Sequence, residues 1–490
     1  MPFFPAFACS HLNSGTLITC PAIYLNMEFF KFICNAASLF GKIVLDLLGH
    51  GGQTMENKAW IISANMGLGH QRATYPLRGL AHDGILLFCE DETCLKKEKR
   101  QWRIMKNSYE TLSRTGQIPL IGSYLFSLLE KIQNISPYYP RRDQSGPSFQ
   151  VKYLYSLIKR GMGKGMSEKL RTAKLPVITS FYAAAIAAEE LTDLPVYCII
   201  CDSDINRVWV AEKPQQSRIV YFAPCGNAVR RLKEYGVPDE RIFLTGFPLP
   251  EENIGKNMEI LRSDLSKRLI RLDPTRRFRI IHGEEARFYL GDSWDPDAAG
   301  GPLTITFTVG GAGAQAEIAG AAVSSLSGMI KKGKIRLNLV AAHRLEVKNY
   351  FEKLIKKCGL ENSDGVQILY DPDKNEYFRR FNIILRNTDV LWTKPSEMSF
   401  YCGLGIPIII APPIGPHEVY NQRWLRDLGA GVHQSDPRYC SEWIMDYLHD
   451  GKLSLAAWDG FLYARKLGAA KIAEVLATGK MERHYSPLLR

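Results

Sequence analysis

From Ala59 onward, short apolar or β-branched runs alternate with segments whose apolar residues recur at helical spacing. Runs of the first kind read as strands buried on both faces, and the second kind as helices packed over them. The pattern predicts strands over 59–64, 84–89, 176–179, 195–200, 218–222 and 241–245, with helices over 70–81, 181–191 and 226–235. A helix-rich, basic insertion is expected over about 95–172. A second series predicts strands near 303–309, 335–341, 366–369, 389–393 and 407–411, with helices between them. Residues 275–302, rich in Arg, Gly, Asp and Pro, read as a loop or insertion, and Trp458 to Leu476 as one helix long enough to pass from one half to the other. This alternation predicts an α/β protein with two parallel, Rossmann-like sheets. The boundaries that follow are an N-terminal extension over 1–54, a first domain over 55–248, a second over 249–457 and a crossing helical segment over 458–490.

The first 54 residues differ from the rest. Met1 to Met27 is apolar but broken by Pro2, Pro5, Asn13, Gly15 and Pro21, a poor spanning helix with no basic region ahead of an apolar core. Met27 to Leu48 fits one amphipathic helix. The extension reads as an interfacial anchor, a helix docked on the body, or translation assigned too far upstream; Met55, directly before the first strand, makes the third reading the preferred one.

Charge and cysteine content narrow the partners. The 490 residues carry 62 Lys+Arg against 50 Asp+Glu, a net +12 that favours an anionic partner such as nucleotide-sugar phosphates, anionic lipid headgroups or nucleic acid. No finger, RNP or helix-turn-helix pattern is present, so nucleic acid is not expected. Much of the positive charge lies in 96–103, Arg141-Arg142 and 152–171, where it is either a solvated helix face or a surface for acidic headgroups, with Trp102, Tyr153 and Tyr155 as interfacial aromatics. Eleven cysteines form no metal-like double pair; Cys198 and Cys201 sit in a strand where alternate side chains diverge, which implies reduced thiols and a cytoplasmic setting.

Two glycine-rich turns carry the chemistry. Met66-Gly67-Leu68-Gly69-His70 follows the first strand and opens a helix, placing a titratable ring beside bare backbone. Gly310-Gly311-Ala312-Gly313-Ala314 follows the run Leu303 to Val309 and also opens a helix, an arrangement suited to a diphosphate. The second turn lacks the Gly-Lys-Ser/Thr ending of an ATP-hydrolysing loop and fails a strict dinucleotide fingerprint.

These turns come in order with Cys201-Asp202-Ser203-Asp204 followed by Trp209, Tyr235-Gly236-Val237-Pro238, Leu244 to Pro248, Thr393-Lys394-Pro395-Ser396-Glu397, and Gly415-Pro416-His417-Glu418 with Asn421. The ordered set, spanning roughly 60–435, resembles the GT-B glycosyltransferases, in particular the monogalactosyldiacylglycerol synthases and the N-acetylglucosaminyltransferase that makes lipid II. The resemblance implies a GT-B fold with a cleft between two Rossmann-like domains and transfer from a nucleotide-sugar, expected to be a UDP-sugar, to a lipid-linked or other hydrophobic acceptor. It implies inversion at the anomeric centre, no metal and no cofactor, and work in the cytoplasm or on the cytoplasmic face of a membrane. By the same resemblance Gly67, Gly69 and Trp209 border the acceptor, while Gly310 to Ala314, Lys394, Glu397, Glu418 and Asn421 serve the donor.

For proton removal His70 is the candidate base and Asp202 its rival; a helix-opening histidine and a strand-terminal aspartate can each be merely structural. Lys394 can equally be a surface lysine, and Glu418 and Asn421 can cap the next helix. The chain departs from the family at the ribose position, which Phe400 occupies. Glu397, one turn earlier, either takes over that role or is an acid at a helix start. Two other readings keep the fold: a UDP-sugar 2-epimerase-like enzyme, which needs no acceptor, and a non-catalytic nucleotide-sugar-binding relative.

Overall fold

Two six-stranded sheets, every strand pair parallel, stand at the centre of the computed structural model, which describes residues 58–115, 135–309 and 315–489. The N-terminal extension, the middle of the basic insertion and Gly310 to Ala314 lie outside the described residues. The first sheet contains β1 (Ala59–Ser63), β2 (Ala81–Leu87), β3 (Val177–Thr179), β4 (Val196–Ile199), β5 (Val220–Phe222) and β6 (Ile242–Phe243), in the order β2-β1-β3-β4-β5-β6. The second contains β7 (Leu303–Thr308), β8 (Ile335–Ala342), β9 (Val366–Tyr370), β10 (Val390–Thr393), β11 (Ile408–Ile410) and β12 (Gly431–His433), in the order β12-β11-β10-β7-β8-β9. This is the expected α/β class with two Rossmann-like domains, as in GT-B folds.

Each order reverses once, between β1 and β3 in the first sheet and between β7 and β10 in the second. At a reversal the connections leave toward opposite faces and open a crevice beyond the carboxyl ends of the strands. Both glycine-rich turns follow a strand that flanks a reversal.

The central strands are largely buried, while the edge strands β2, β6, β9 and β12 are partly exposed. Ala59 to Ser63 and Ile408 to Ile410 are buried throughout, as expected for parallel strands covered on both faces. β7 buries three threonines as well, and its core hydroxyls find partners: Thr306 Oγ1 lies 2.7 Å from Thr388 Oγ1, and Thr308 Oγ1 donates to Thr393 Oγ1 at 2.7 Å.

Several expectations are corrected. The helix expected over 70–81 is α-helical only over Gly69–Thr74 and continues as a tighter 3₁₀ turn over Tyr75–Leu80, where Pro76 removes a backbone donor, so β2 starts earlier than expected. Within 275–302, Arg277–Leu290 is helical, with Phe278, Ala286 and Leu290 buried. The segment 458–476 belongs to two helices, Lys452–Tyr463 and Gly468–Thr478. Trp102 is not interfacial: it is buried on Phe88 and Phe181, and its indole donates to Glu90. Tyr155 is likewise turned inward, its hydroxyl accepting from Glu212 N.

The two halves are linked where the chain crosses twice at one place. A Cβ on Gly246, which has φ +94°, would stand 2.7 Å from Arg465 Cβ, and one on Gly468 would run into the Phe247 carbonyl. The final helix, Gly468–Thr478, then packs on Tyr75–Leu80 of the first half.

Candidate functional site

At the reversal of the first sheet, the turns after β1 and β3 are tied together. His70 Nδ1 lies 2.6 Å from the Ser180 carbonyl, and Ser180 Oγ donates to the His70 carbonyl at 2.9 Å. A carbonyl only accepts, so Nδ1 carries the proton and the neutral ring keeps a lone pair on Nε2. Burial pushes the imidazole below the ordinary histidine value, outweighing the Ser180 carbonyl and the carboxylates of Asp202 and Glu397, which pull it up. The ring is held edge-on to Phe181, centroids 5.2 Å apart, with Trp209 at 6.2 Å. Cys201 Sγ is 3.9 Å from Nδ1, but burial raises its thiol well above the usual range and leaves it inert. Cys198 and Cys201 are both free and buried. Gly67 has φ +79° and is exposed, so its glycine answers to backbone conformation.

At the reversal of the second sheet, β10 runs into Lys394 to Glu397. Lys394 Nζ pairs with Glu418 Oε1, and Glu418 Oε2 accepts from Ile414 N at 2.7 Å. Burial opposes the charge on Glu418, but Lys394, His417 and the Ile414 amide outweigh it and hold the carboxyl below its ordinary value. The Lys394 charge is therefore matched by a carboxylate. Gln315 has φ +74° and donates through Nε2 to the Pro412 carbonyl at 2.6 Å, joining the start of helix Ala316–Lys331 to the turn before Glu418.

The two reversals face each other. Asn421 is fully buried and ties the segment after β4 to the one after β10: Nδ2 donates to Asp202 Oδ1 at 2.8 Å and to the Pro395 carbonyl at 3.2 Å, while Oδ1 accepts from Ser203 N at 2.7 Å. Glu397 reaches back to the first glycine-rich turn, and a Cβ on Gly69 would stand 3.1 Å from its Oε2. The other oxygen accepts from Arg72 Nε at 3.2 Å, and Arg72 Nη2 donates to Tyr377 Oη at 3.0 Å. The Arg72 guanidinium, buried, sits 4.7 Å from the Phe381 ring centroid and 5.2 Å from that of Phe378.

The fold thus brings His70, Gly69, Asp202 and Trp209 from the first half together with Lys394, Glu397, Glu418 and Asn421 from the second. Asn421 has its polar atoms committed to joining the halves. Phe400 stacks on Phe247, centroids 5.1 Å apart, and lies 4.9 Å from Trp424; it is a core residue. Asp204 forms a two-pronged ion pair with Arg231 at 2.7 and 2.9 Å, away from the cleft chemistry. Sequence reasoning missed Ser180, Arg72 and Tyr377, which carry no local motif. Among the described residues no group of three or more His, Cys, Asp or Glu is placed to hold a metal ion.

A family profile described as "Domain of unknown function (DUF6938)" matches residues 343–458, the stretch that contains Lys394, Glu397, Glu418 and Asn421. No curated protein matches the chain. Among solved structures, a putative UDP-N-acetylglucosamine 2-epimerase from Listeria monocytogenes is similar at 12% identity and TM-score 0.45, covering 88% of this chain and 99% of its own. MurG from Acinetobacter baumannii is similar at 14% identity and TM-score 0.40, covering 76% and 95%. Anabaena HepE in complex with UDP and glucose is similar at 13% identity and TM-score 0.40, covering 86% and 99%.

Proposed function

We propose that this chain is an inverting glycosyltransferase that moves a sugar from a UDP-sugar to a hydrophobic, lipid-linked acceptor. The observation that carries the reading is the meeting of the two sheet reversals, with His70 anchored through Nδ1 and its Nε2 left as a base. An acceptor hydroxyl approaching from the first half loses its proton to His70 Nε2 as its oxygen attacks the anomeric carbon. The new carbon–oxygen bond forms opposite the bond to the diphosphate, which leaves with the electron pair, and the centre inverts. Asp202 stands beside the imidazole and stabilises the imidazolium that results. The turn Gly310 to Ala314 and Lys394 are assigned to the departing diphosphate, Glu397 to the ribose, and Glu418 to the sugar hydroxyls. UDP and the lipid acceptor rest on the ordered motif resemblance.

A surface for the acceptor's membrane is available in the insertion. Phe149 and Tyr153 are exposed, their rings stacked at 6.2 Å, and Arg141, Arg142 and Lys152 are exposed nearby in the chain. No helix among the described residues is long and apolar enough to cross a membrane.

A second reading, a UDP-sugar 2-epimerase-like enzyme, is favoured by the direct contact of the two sides through Asp202–Asn421 and Arg72–Glu397, which leaves no separate acceptor side evident between them. Calorimetric titration with UDP, GDP and ADP, followed by UDP release from UDP-sugars with and without acceptor, tests both. UDP-selective binding that Glu397→Ala weakens, with acceptor-dependent release, supports the transferase. Epimerisation without acceptor supports the second reading, and absence of nucleotide binding removes both.

A further inference from the structure

Beside the cleft region already described, the ends of β1, β2 and β8 bring a second set of polar groups together. Asn65, just past β1, donates to Glu90 Oε2 at 2.9 Å and accepts from Lys374 Nζ at 2.8 Å across the cleft. Glu90 Oε1 accepts from Lys106 Nζ at 3.4 Å and from the Trp102 indole at 3.0 Å. On the facing side, β8 ends at a bulge, where Ala342 has φ +54° and its carbonyl accepts from Asp371 N at 2.9 Å. The next two residues, His343 and Arg344, each bury a polar atom, Nδ1 and Nε, with no hydrogen-bond partner among the described residues. Buried polar atoms without partners are costly, and two in succession at the carboxyl end of a strand ask for a ligand.

The neighbourhood is electropositive. Burial, Lys374 and Arg344 push His343 below its ordinary value, and burial with Lys106 does the same to Lys374. Of the carboxylates, Glu90 is committed to Asn65, Trp102 and Lys106, and the exposed Glu346 takes only Arg344 Nη1, at 3.2 Å.

We propose that His343, Arg344 and Lys374, with Lys106 from the opposite half, form a binding site for a phosphate or diphosphate group at the β8 side of the cleft. β8 neighbours β7 in the second sheet, so the site lies one strand away from the end of β7. Its ligand chemistry is that of a phosphoryl group with several acceptor oxygens, supplied either by the nucleotide itself or by a second, phosphate-bearing ligand. The inference does not rest on the transferase reading, since it concerns binding alone.

The test is calorimetric titration of the full chain with inorganic pyrophosphate, alone and with saturating UDP. Lys374→Gln, Arg344→Gln and Lys106→Gln should each weaken pyrophosphate binding, the first two by about tenfold or more. Arg379→Gln, an exposed charge on the same helix as Lys374, should leave it unchanged. Competition by UDP would assign the site to the nucleotide's own diphosphate, and simultaneous binding to a second phosphorylated ligand. Because Lys106 and Lys374 belong to different halves, loss in both variants with unchanged thermal unfolding cannot come from one misfolded element. Absence of pyrophosphate binding, or equal binding by every variant, overturns the proposal.

Discussion

Arg72 Nε and Glu397 Oε1, separated by 325 positions in the chain, form a 3.2 Å ion pair in which both side chains are largely buried. The pair joins the helix that His70 opens to the segment that follows β10, so the geometry of the proposed base and of the proposed ribose carboxylate is set by one contact. Tyr377 and the Phe381 ring complete the arginine's surroundings.

Removing the arginine should therefore cost stability as well as binding. Arg72→Met leaves the Glu397 carboxylate without its counter-charge, a loss of about 3–5 kcal/mol for a buried pair. Chemical denaturation of the two proteins measures it. A difference below about 1 kcal/mol would place the pair with weak surface bridges.

Gly69→Ala separates position from stability. The added Cβ meets the end of the Glu397 side chain, which can swing away by a few tenths of an ångström, so unfolding should change little. Nucleotide binding should weaken, because the carboxylate is displaced. In a Gly69→Ala, Glu397→Gln double-mutant cycle the two effects should not add; additivity would mean that they act independently.

The pH profile reports on His70. Burial lowers its value in the folded protein, so the base stays unprotonated to more acidic pH than a free histidine and the acid limb of kcat/KM should lie below about pH 6.5. The same shift means that the unfolded chain binds the proton more readily, and the residue's contribution to stability is lost as pH falls through that region. His70→Ala should lower turnover by about 100- to 10,000-fold and abolish that limb. A limb unmoved in the variant would transfer the role of base to another group, Asp202 first.

Flotation with vesicles examines the insertion. Binding to anionic vesicles should fall with salt, and Phe149→Ser should weaken it by about tenfold or more, given about 1.5–3 kcal/mol for burying such a ring. Equal binding to neutral vesicles, or none, would remove the membrane from the proposed function.

Gly468→Ala should destabilise the protein although it lies far from any proposed chemistry. Its Cβ would collide with the backbone carbonyl of Phe247, which has no side-chain freedom to yield. Overpacking of this kind costs about 1–3 kcal/mol, measurable by thermal or chemical unfolding.

The strands were legible because parallel strands buried on both faces are continuous apolar runs: Ile408 to Ile410 can hardly be anything else. The turns around Gly67 and Lys394 were legible because functional groups in such sheets gather where strands end. Helix Arg277–Leu290 was not, since it carries large apolar residues on both faces, Phe278 and Leu290 buried but Ile280, Ile281 and Phe288 exposed, which erases the helical stripe. Trp102 misled for the opposite reason. Among basic neighbours it resembled an interfacial anchor, yet with Glu98, one turn earlier on the same helix, it faces inward and is buried. Arg72 was beyond reach of any local pattern, because Tyr377 and Glu397 lie 305 and 325 positions away and are brought to it only by the crossing of the halves.

That crossing has a mechanical consequence. With Gly246 against Arg465 and Gly468 against Phe247, both covalent passages between the halves go through one spot. Such a spot is a fulcrum: rotation about it stretches neither passage, and displacement grows with distance from it. The two covalent passages therefore leave the angle between the halves unset, and the contacts Arg72–Glu397 and Asp202–Asn421, made between residues distant in the chain, are what fix it.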